Sequence, residues 1–230
     1  MTGYRLEPEK LPPILPVFPL TGVLLLPGGQ LPLNIFEPRY LAMVRDALAS
    51  EARLIGMVQP RVPDPTDNHG PAPGTPSDAP EIYAIGCAGR VVGFNETPDG
   101  RNLITLHGIT RFRITEETAL GDGYRRVKAG YGDFSGDLNA DEAPVAIDRD
   151  RLLEAVKKFF EARRIDAEWE QVEKTETGRL VTSLAMSIPF SPVERQALLE
   201  SASADDRAAL LITMMEMAAA APEGEGGISH

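Results

Sequence analysis

Leu15 to Ser50 reads LPVFPLTGVLLLPGGQLPLNIFEPRYLAMVRDALAS, and the fold is decided inside it. Leu15, Val17 and Phe18, closed by Pro19, give a first strand; Leu31, Leu33 and Ile35 alternate toward Phe36 as a second, with prolines of the kind a sheet edge accepts. Between them Leu24-Leu25-Leu26 is apolar but ends at Pro27-Gly28-Gly29, far short of the roughly 20 residues a bilayer crossing needs. Glu37-Pro38 opens a helix, because proline is tolerated where no N–H partner is required and a carboxylate there meets the positive end of the helix dipole. Tyr40, Leu41, Val44 and Leu48 recur at helical spacing as the stripe facing the strands.

Downstream, residues 53–59 form a compact apolar strand bounded by Pro60. Residues 60–80 hold seven prolines and almost no large apolar side chain, so they bury little and read as a mobile loop carrying a solvated His69. From 81 to 94 the apolar pattern resumes with Gly86, Gly89 and Gly93 as bends, followed by a Pro98-Asp99-Gly100 turn. Residues 103–107 return with Ile104 and Leu106 on one face; Gly108 marks a break; 111–116 alternate Phe112 and Ile114 against Arg111 and Arg113. A last strand spans 124–134, with Val127, Ala129 and Tyr131 in phase. Strands this irregular, with one early helix and no βα alternation, predict a small, strongly bent barrel rather than a doubly wound sheet.

Near residue 135 the composition changes. SGDLNADEAP is acidic and poor in large apolar residues, as a linker is, and beyond it Leu152, Leu153, Val156, Phe159 and Phe160 mark the core face of a helix. A further helix is expected over 167–187, stopped by Pro189 and loosened at Gly178. Ser191-Pro192-Val193-Glu194 is a capping box, and Ser203-Ala204-Asp205-Asp206 repeats the pattern before a last helix through Met217. The whole is α+β: an extension (1–14), a bent β-barrel lobe with one early helix (15–135), a linker (136–147), a C-terminal helical lobe (148–221) and a Gly-rich tail (222–230) expected to be disordered.

Composition limits the chemistry. With 23 basic and 34 acidic residues, the formal charge of −11 repels phosphate backbones and anionic membrane surfaces, so neither nucleic acid nor membrane is an expected partner. A single cysteine, Cys87, excludes an internal disulfide and a thiolate metal cluster, and neither a signal peptide nor a spanning segment is legible. These features fit a soluble protein of a reducing cytoplasm.

Several strings carry a resemblance. Phe18-Pro19-Leu20, Leu26-Pro27-Gly28, Leu31-Pro32-Leu33 and Ile35-Phe36-Glu37-Pro38-Arg39-Tyr40, in that order, resemble the opening of the LON substrate-binding domain, the N-terminal domain of Lon proteases that also occurs as a stand-alone bacterial protein and within cereblon. Ile85-Gly86-Cys87-Ala88, Pro98-Asp99-Gly100-Arg101 and the stretch from Leu106 through Gly108-Ile109-Thr110-Arg111-Phe112 to Ile114 are similar to the family's later strands, with Cys87 where a threonine is usual. The likeness runs roughly from Leu15 to Met217. It implies a PUA-like β lobe joined to a helical lobe, and a non-catalytic module that takes unfolded or specific polypeptide segments in an apolar groove between them. It also implies polypeptide or protein partners, an ATP-dependent protease among them, and no cofactor. The residues it points to are Phe18, Pro27, Phe36, Glu37, Arg39, Tyr40, Arg111 and Phe112.

Chemistry is otherwise hard to find. There is no Gly-x-x-x-x-Gly-Lys-Ser/Thr loop, and none of Lys10, Lys128, Lys157, Lys158 and Lys174 lies in a string similar to the Ser–Lys protease site of Lon. No Gly-x-Ser-x-Gly elbow positions a nucleophile. His107, out of phase with Ile104 and Leu106, reads as an exposed structural histidine, and Cys87 as a buried inert thiol. Glu37 reads first as a helix cap, and Arg111 as a tie from the barrel to a neighbouring loop. Met214, Met215 and Met217 read as core first and as an adaptable surface second. The alternatives to polypeptide binding are a small hydrolase or small-molecule enzyme whose site forms only in three dimensions, and nucleic-acid binding through the PUA-like barrel, which the charge opposes.

Overall fold

The two strands of the opening stretch are β1 (Ile14–Pro19) and β2 (Gln30–Ile35), and its helix is α1 (Pro38–Ala49). In this computed structural model residues 8–61, 80–139 and 146–220 are described; most of the proline-rich 60–80 stretch with His69, much of the N-terminal extension, residues 140–145 of the expected linker and the tail lie outside them. Four further strands follow: β3 (Leu54–Val58), β4 (Ile85–Glu96), β5 (Asn102–Gly121) and β6 (Tyr124–Gly130). The sheet order is β2-β5-β4-β3-β1-β6, and β5 also pairs with β6, so five strands close into a barrel and β2 remains outside the ring on the edge of β5. Only β1 and β3 run parallel; the other pairs are antiparallel.

Closure depends on β5. Its first half pairs with β2 and β4 and its second half with β6, with register shifts at Ala88/Gly89, Val91/Gly93, Ile114/Glu116 and Thr118/Gly121 that bend the ladder. Two of the three glycines read as bends thus sit at bulges. Gly108 does not break the strand. Its N–H donates to the Gly29 carbonyl at 2.8 Å, its own carbonyl accepts from Gly28 N–H at 2.9 Å, and a Cβ there would overlap the Leu26 carbonyl. Glycine is needed because the Leu24-Leu25-Leu26 segment, fully buried without being a strand, presses its backbone onto β5.

The barrel interior holds Leu15, Val17, Leu54, Val58, Ala88, Ile109, Phe112 and Val127. A second, larger cluster lies outside it and runs without interruption from Phe18, Leu24–Leu26, Ile35 and α1 into the helices. On α1 the buried stripe is Tyr40, Met43, Val44 and Ala47; Leu41 and Leu48 sit on its flank, a rotation the larger and more obvious leucines concealed.

The helices are α2 (Arg149–Arg163), α3 (Trp169–Lys174), α4 (Thr177–Ser187), α5 (Pro192–Glu200) and α6 (Ala204–Ala220). The single helix expected over 167–187 is two, because the Glu176 carboxylate accepts from Gly178 and Arg179 N–H at 2.9 Å each and begins a new helix. The capping box at Ser191 and Glu194 is formed, and the Ser203 hydroxyl accepts from Asp206 N–H at 3.0 Å at the start of α6. The strand expected to reach 134 stops at Gly130. Gly132–Asn139 forms 3-10 turns with Phe134 buried, so the stretch read as linker begins inside ordered structure.

Candidate binding surface

The motif residues fall into four environments. The Phe18 and Tyr40 rings meet at 4.3 Å between centroids, the Arg39 guanidinium lies 4.7 Å over the Tyr40 ring, and Arg39 Nη2 pairs with Glu37 Oε2 at 2.8 Å. The stack seats the start of α1 on β1. Glu37 occupies the N-cap, yet its carboxylate caps nothing; Arg39 holds it, and the Tyr40 and Leu41 amides bond to the Glu37 carbonyl instead. Burial, with help from Glu37, pushes the Tyr40 phenol above its usual range against the pull of Arg39 and Arg125. Pro27 and Phe112 are buried, Phe112 at the barrel centre, so they act through packing, whereas Phe36 is 62% exposed.

Arg111 is the hub of a buried polar network. Its Nε and Nη2 donate to the two carboxylate oxygens of Asp137 at 2.8 and 2.9 Å, its backbone N–H donates to the same group at 2.9 Å, and its Nη1 donates to the Leu199 carbonyl at 3.1 Å and the Ser201 carbonyl at 2.5 Å. Its guanidinium also lies 4.6 Å over the Phe134 ring. The tie read from sequence is therefore present, and it reaches α5 as well as a neighbouring loop. Arg207 of α6 donates to the Leu198 carbonyl at 2.9 Å, and burial beside the Arg111 charge pulls its guanidinium down to about 10.

Other participants carried almost no sequence signal. Arg195 donates to the Phe190 and Ile188 carbonyls at 2.9 and 3.0 Å, satisfying the exit of α4. Gln59 of the loop after β3 donates to Gln196 Oε1 at 3.2 Å, and Gln196 donates to the Ile85 carbonyl at 3.1 Å, binding α5 to the barrel wall. A glutamine directly after an all-buried strand is the one hint the chain offered.

Cys87 is buried, and desolvation pushes its thiol up, away from the thiolate. His107 is half-buried rather than exposed, with Nδ1 enclosed by the fold and without a hydrogen-bond partner. A cleft of about 640 Å³ runs under residues 9–14 against the end of α1, floored by Leu54, Arg90 and Tyr124. There the Tyr124 hydroxyl donates to Asp46 at 2.7 Å, and burial and that carboxylate push the phenol up to about 12, so at neutral pH it is a donor and no base. A smaller cleft of about 330 Å³ lies between α2 and α3 at Leu153 and Trp169. Neither lies between barrel and helices. Among the described residues no group of three or more His, Cys, Asp or Glu could hold a metal ion, and no helix is long and apolar enough to cross a membrane.

One group of exposed apolar side chains lies at the β2 side of the sheet. Phe36, Phe94 and Leu103 are exposed, Leu31 and Leu33 are half-buried, and Met186 of α4 lies against Gly29 where β2 begins. The barrel and its helical partner meet there.

A bent barrel with an added edge strand and a helical lobe that shares its core together define the class of fold. The chain belongs to the ATP-dependent protease La (LON) substrate-binding domain family, whose model matches residues 14–217. It is similar to Lon protease 2 of Myxococcus xanthus, 25% identical over 208 residues that make up 90% of this chain and 24% of that protein. To the Lon protease of Anaeromyxobacter dehalogenans it is 26% identical over 208 residues, 90% of this chain and 23% of that one. The chain thus spans about a quarter of the length of these relatives. Its fold matches the crystal structure of a Lon N-terminal domain protein from Xanthomonas campestris at a TM-score of 0.53 and 23% identity, covering 87% of this chain and 97% of that one. The N-terminal domain of Mycobacterium avium complex Lon protease matches at 0.56 and 16% identity, covering 88% and 97%.

Proposed function

We propose that this chain is a non-catalytic module of the cytoplasm that takes unfolded or specific polypeptide segments against the apolar surface where barrel and helices meet, in the manner its family name describes. The observation that carries this reading is the family match across residues 14–217, most of the chain. The half-buried Leu31, Leu33 and Met186 and the exposed Phe36 and Phe94 support it, since an incompletely covered apolar patch is the usual mark of a protein-binding site. An ATP-dependent protease is the natural recipient of what is bound, because the relatives carry this module within a Lon chain.

The test is fluorescence anisotropy with labelled peptides and a chemically unfolded protein. Saturable binding that favours apolar over charged sequences is expected. A folded protein that binds none of a broad peptide library overturns the reading.

A further inference from the structure

The free side of β2 has a readable hydrogen-bonding pattern. Gly108 N–H donates to the Gly29 carbonyl, one step beyond the Gln30–His107 pair, so the ladder with β5 uses the N–H and C=O groups of residues 29, 31, 33 and 35. The backbone groups of Gln30, Pro32 and Asn34 therefore face away from β5. Proline suits position 32 because it sits where the ladder asks for no donor. The outward row consists of two donors, at Gln30 and Asn34, and three carbonyl acceptors, at Gln30, Pro32 and Asn34. Among the described residues no strand occupies that side.

The flank of this edge is apolar. Leu31 and Leu33 share a sheet face with Ile104 and Phe94, through the aligned pairs Leu33–Ile104 and Ile104–Phe94, and Phe94 remains 48% exposed. The strand, QLPLNI, carries no charge. Edge strands ordinarily discourage pairing with lysines or inward charges, and here only Pro32 interrupts the row.

We propose that β2 is a docking edge that takes up one extended polypeptide segment by strand addition, with apolar residues at alternate positions. The inference rests on the polypeptide-binding reading above and assigns its mode. The row of outward groups demands an extended main chain. Leu31, Leu33 and Phe94 demand apolar side chains at every second position of the incoming segment, and the uncharged edge selects segments of low charge. An antiparallel segment makes two bonds with Gln30, one with Pro32 and two with Asn34. Residues opposite these three bond the edge with polar side chains, and those opposite Leu31 and Leu33 present apolar ones.

The experiment uses the whole chain and a fluorescein-labelled octapeptide of alternating leucine and serine, alongside the same peptide N-methylated at its serine amides. Asn34→Pro removes the outward amide without touching the ladder to β5. Wild type is expected to bind the plain peptide saturably, with the dissociation constant raised about tenfold or more both by N-methylation and by Asn34→Pro, the variant keeping the wild-type circular dichroism. The N-methylated peptide leaves the protein unaltered, so the test survives a variant that fails to fold. A dissociation constant within about twofold under N-methylation overturns strand addition. If wild type then still binds unfolded protein, the polypeptide-binding reading stands without this mode; if it binds no polypeptide, both fall. A dimer in ultracentrifugation that Asn34→Pro dissolves makes a second copy the occupant and overturns the proposal.

Discussion

The Arg111 guanidinium spends all three of its nitrogens inside the protein: two on Asp137, the third on the carbonyls that end α5. Its side chain is 5% exposed and that of Asp137 10%, so neither charge has water to fall back on. Removing one partner of such a pair leaves the other buried and uncompensated, which costs about 3–5 kcal/mol, far more than a surface ion pair contributes. Arg111→Ala and Asp137→Asn are each expected to lower the unfolding free energy by about that much, and the double variant by clearly less than their sum, as read by urea denaturation. Additive losses would show that the two side chains act separately. Sequence alternation placed Arg111 on the face opposite Phe112 but said nothing of Asp137, because the partner lies 26 residues away in a stretch whose acidity resembled a linker. Charge composition cannot distinguish a solvated carboxylate from a buried one with a fixed partner.

At the scale of elements, the chain was most legible where local rules act alone. Alternation in residues 14–19 and 30–35, the Pro-Asp-Gly turn, the Ser191 capping box and the proline stop after α4 are local and all appear. Errors arose where tertiary contact overrides the local signal. Gly108 looked like a strand break and is a contact point, since β5 passes through it while the Leu26 backbone presses on its Cα. Gly108→Ala is accordingly expected to destabilise the fold by about 1–3 kcal/mol, as overpacking does, although alanine is no worse than glycine as a strand former. A thermal melt unchanged from wild type would mean that the apolar Leu24-Leu25-Leu26 segment yields to the added methyl at no cost. The proposed binding surface was the least legible part. Of the motif residues only Phe36 and the Glu37–Arg39 pair offer substantial exposed surface, whereas the open apolar face is made by Leu31, Leu33 and Phe94, which sequence reading assigned to strands and nothing more.

Across the whole molecule, the apolar cluster that includes α1, Leu26 and Leu106 continues through α2, α4, α5 and α6, and Arg111 and Gln196 cross the same boundary. A separated barrel would expose that apolar face and leave the Arg111 donors short of their carbonyls; separated helices would lose the surface on which they pack. Barrel and helices are therefore expected to unfold as one cooperative unit, despite a sequence that divides so plainly near residue 135. The chain supplies its own probes. Trp169, the single tryptophan, lies in α3, while Tyr40, Tyr124 and Tyr131 report from the barrel side. Urea unfolding followed by tryptophan fluorescence and by tyrosine near-ultraviolet circular dichroism should give one midpoint and one slope. Two separated midpoints would show that the boundary in composition is also a boundary in stability, with the shared core too weak to couple the lobes.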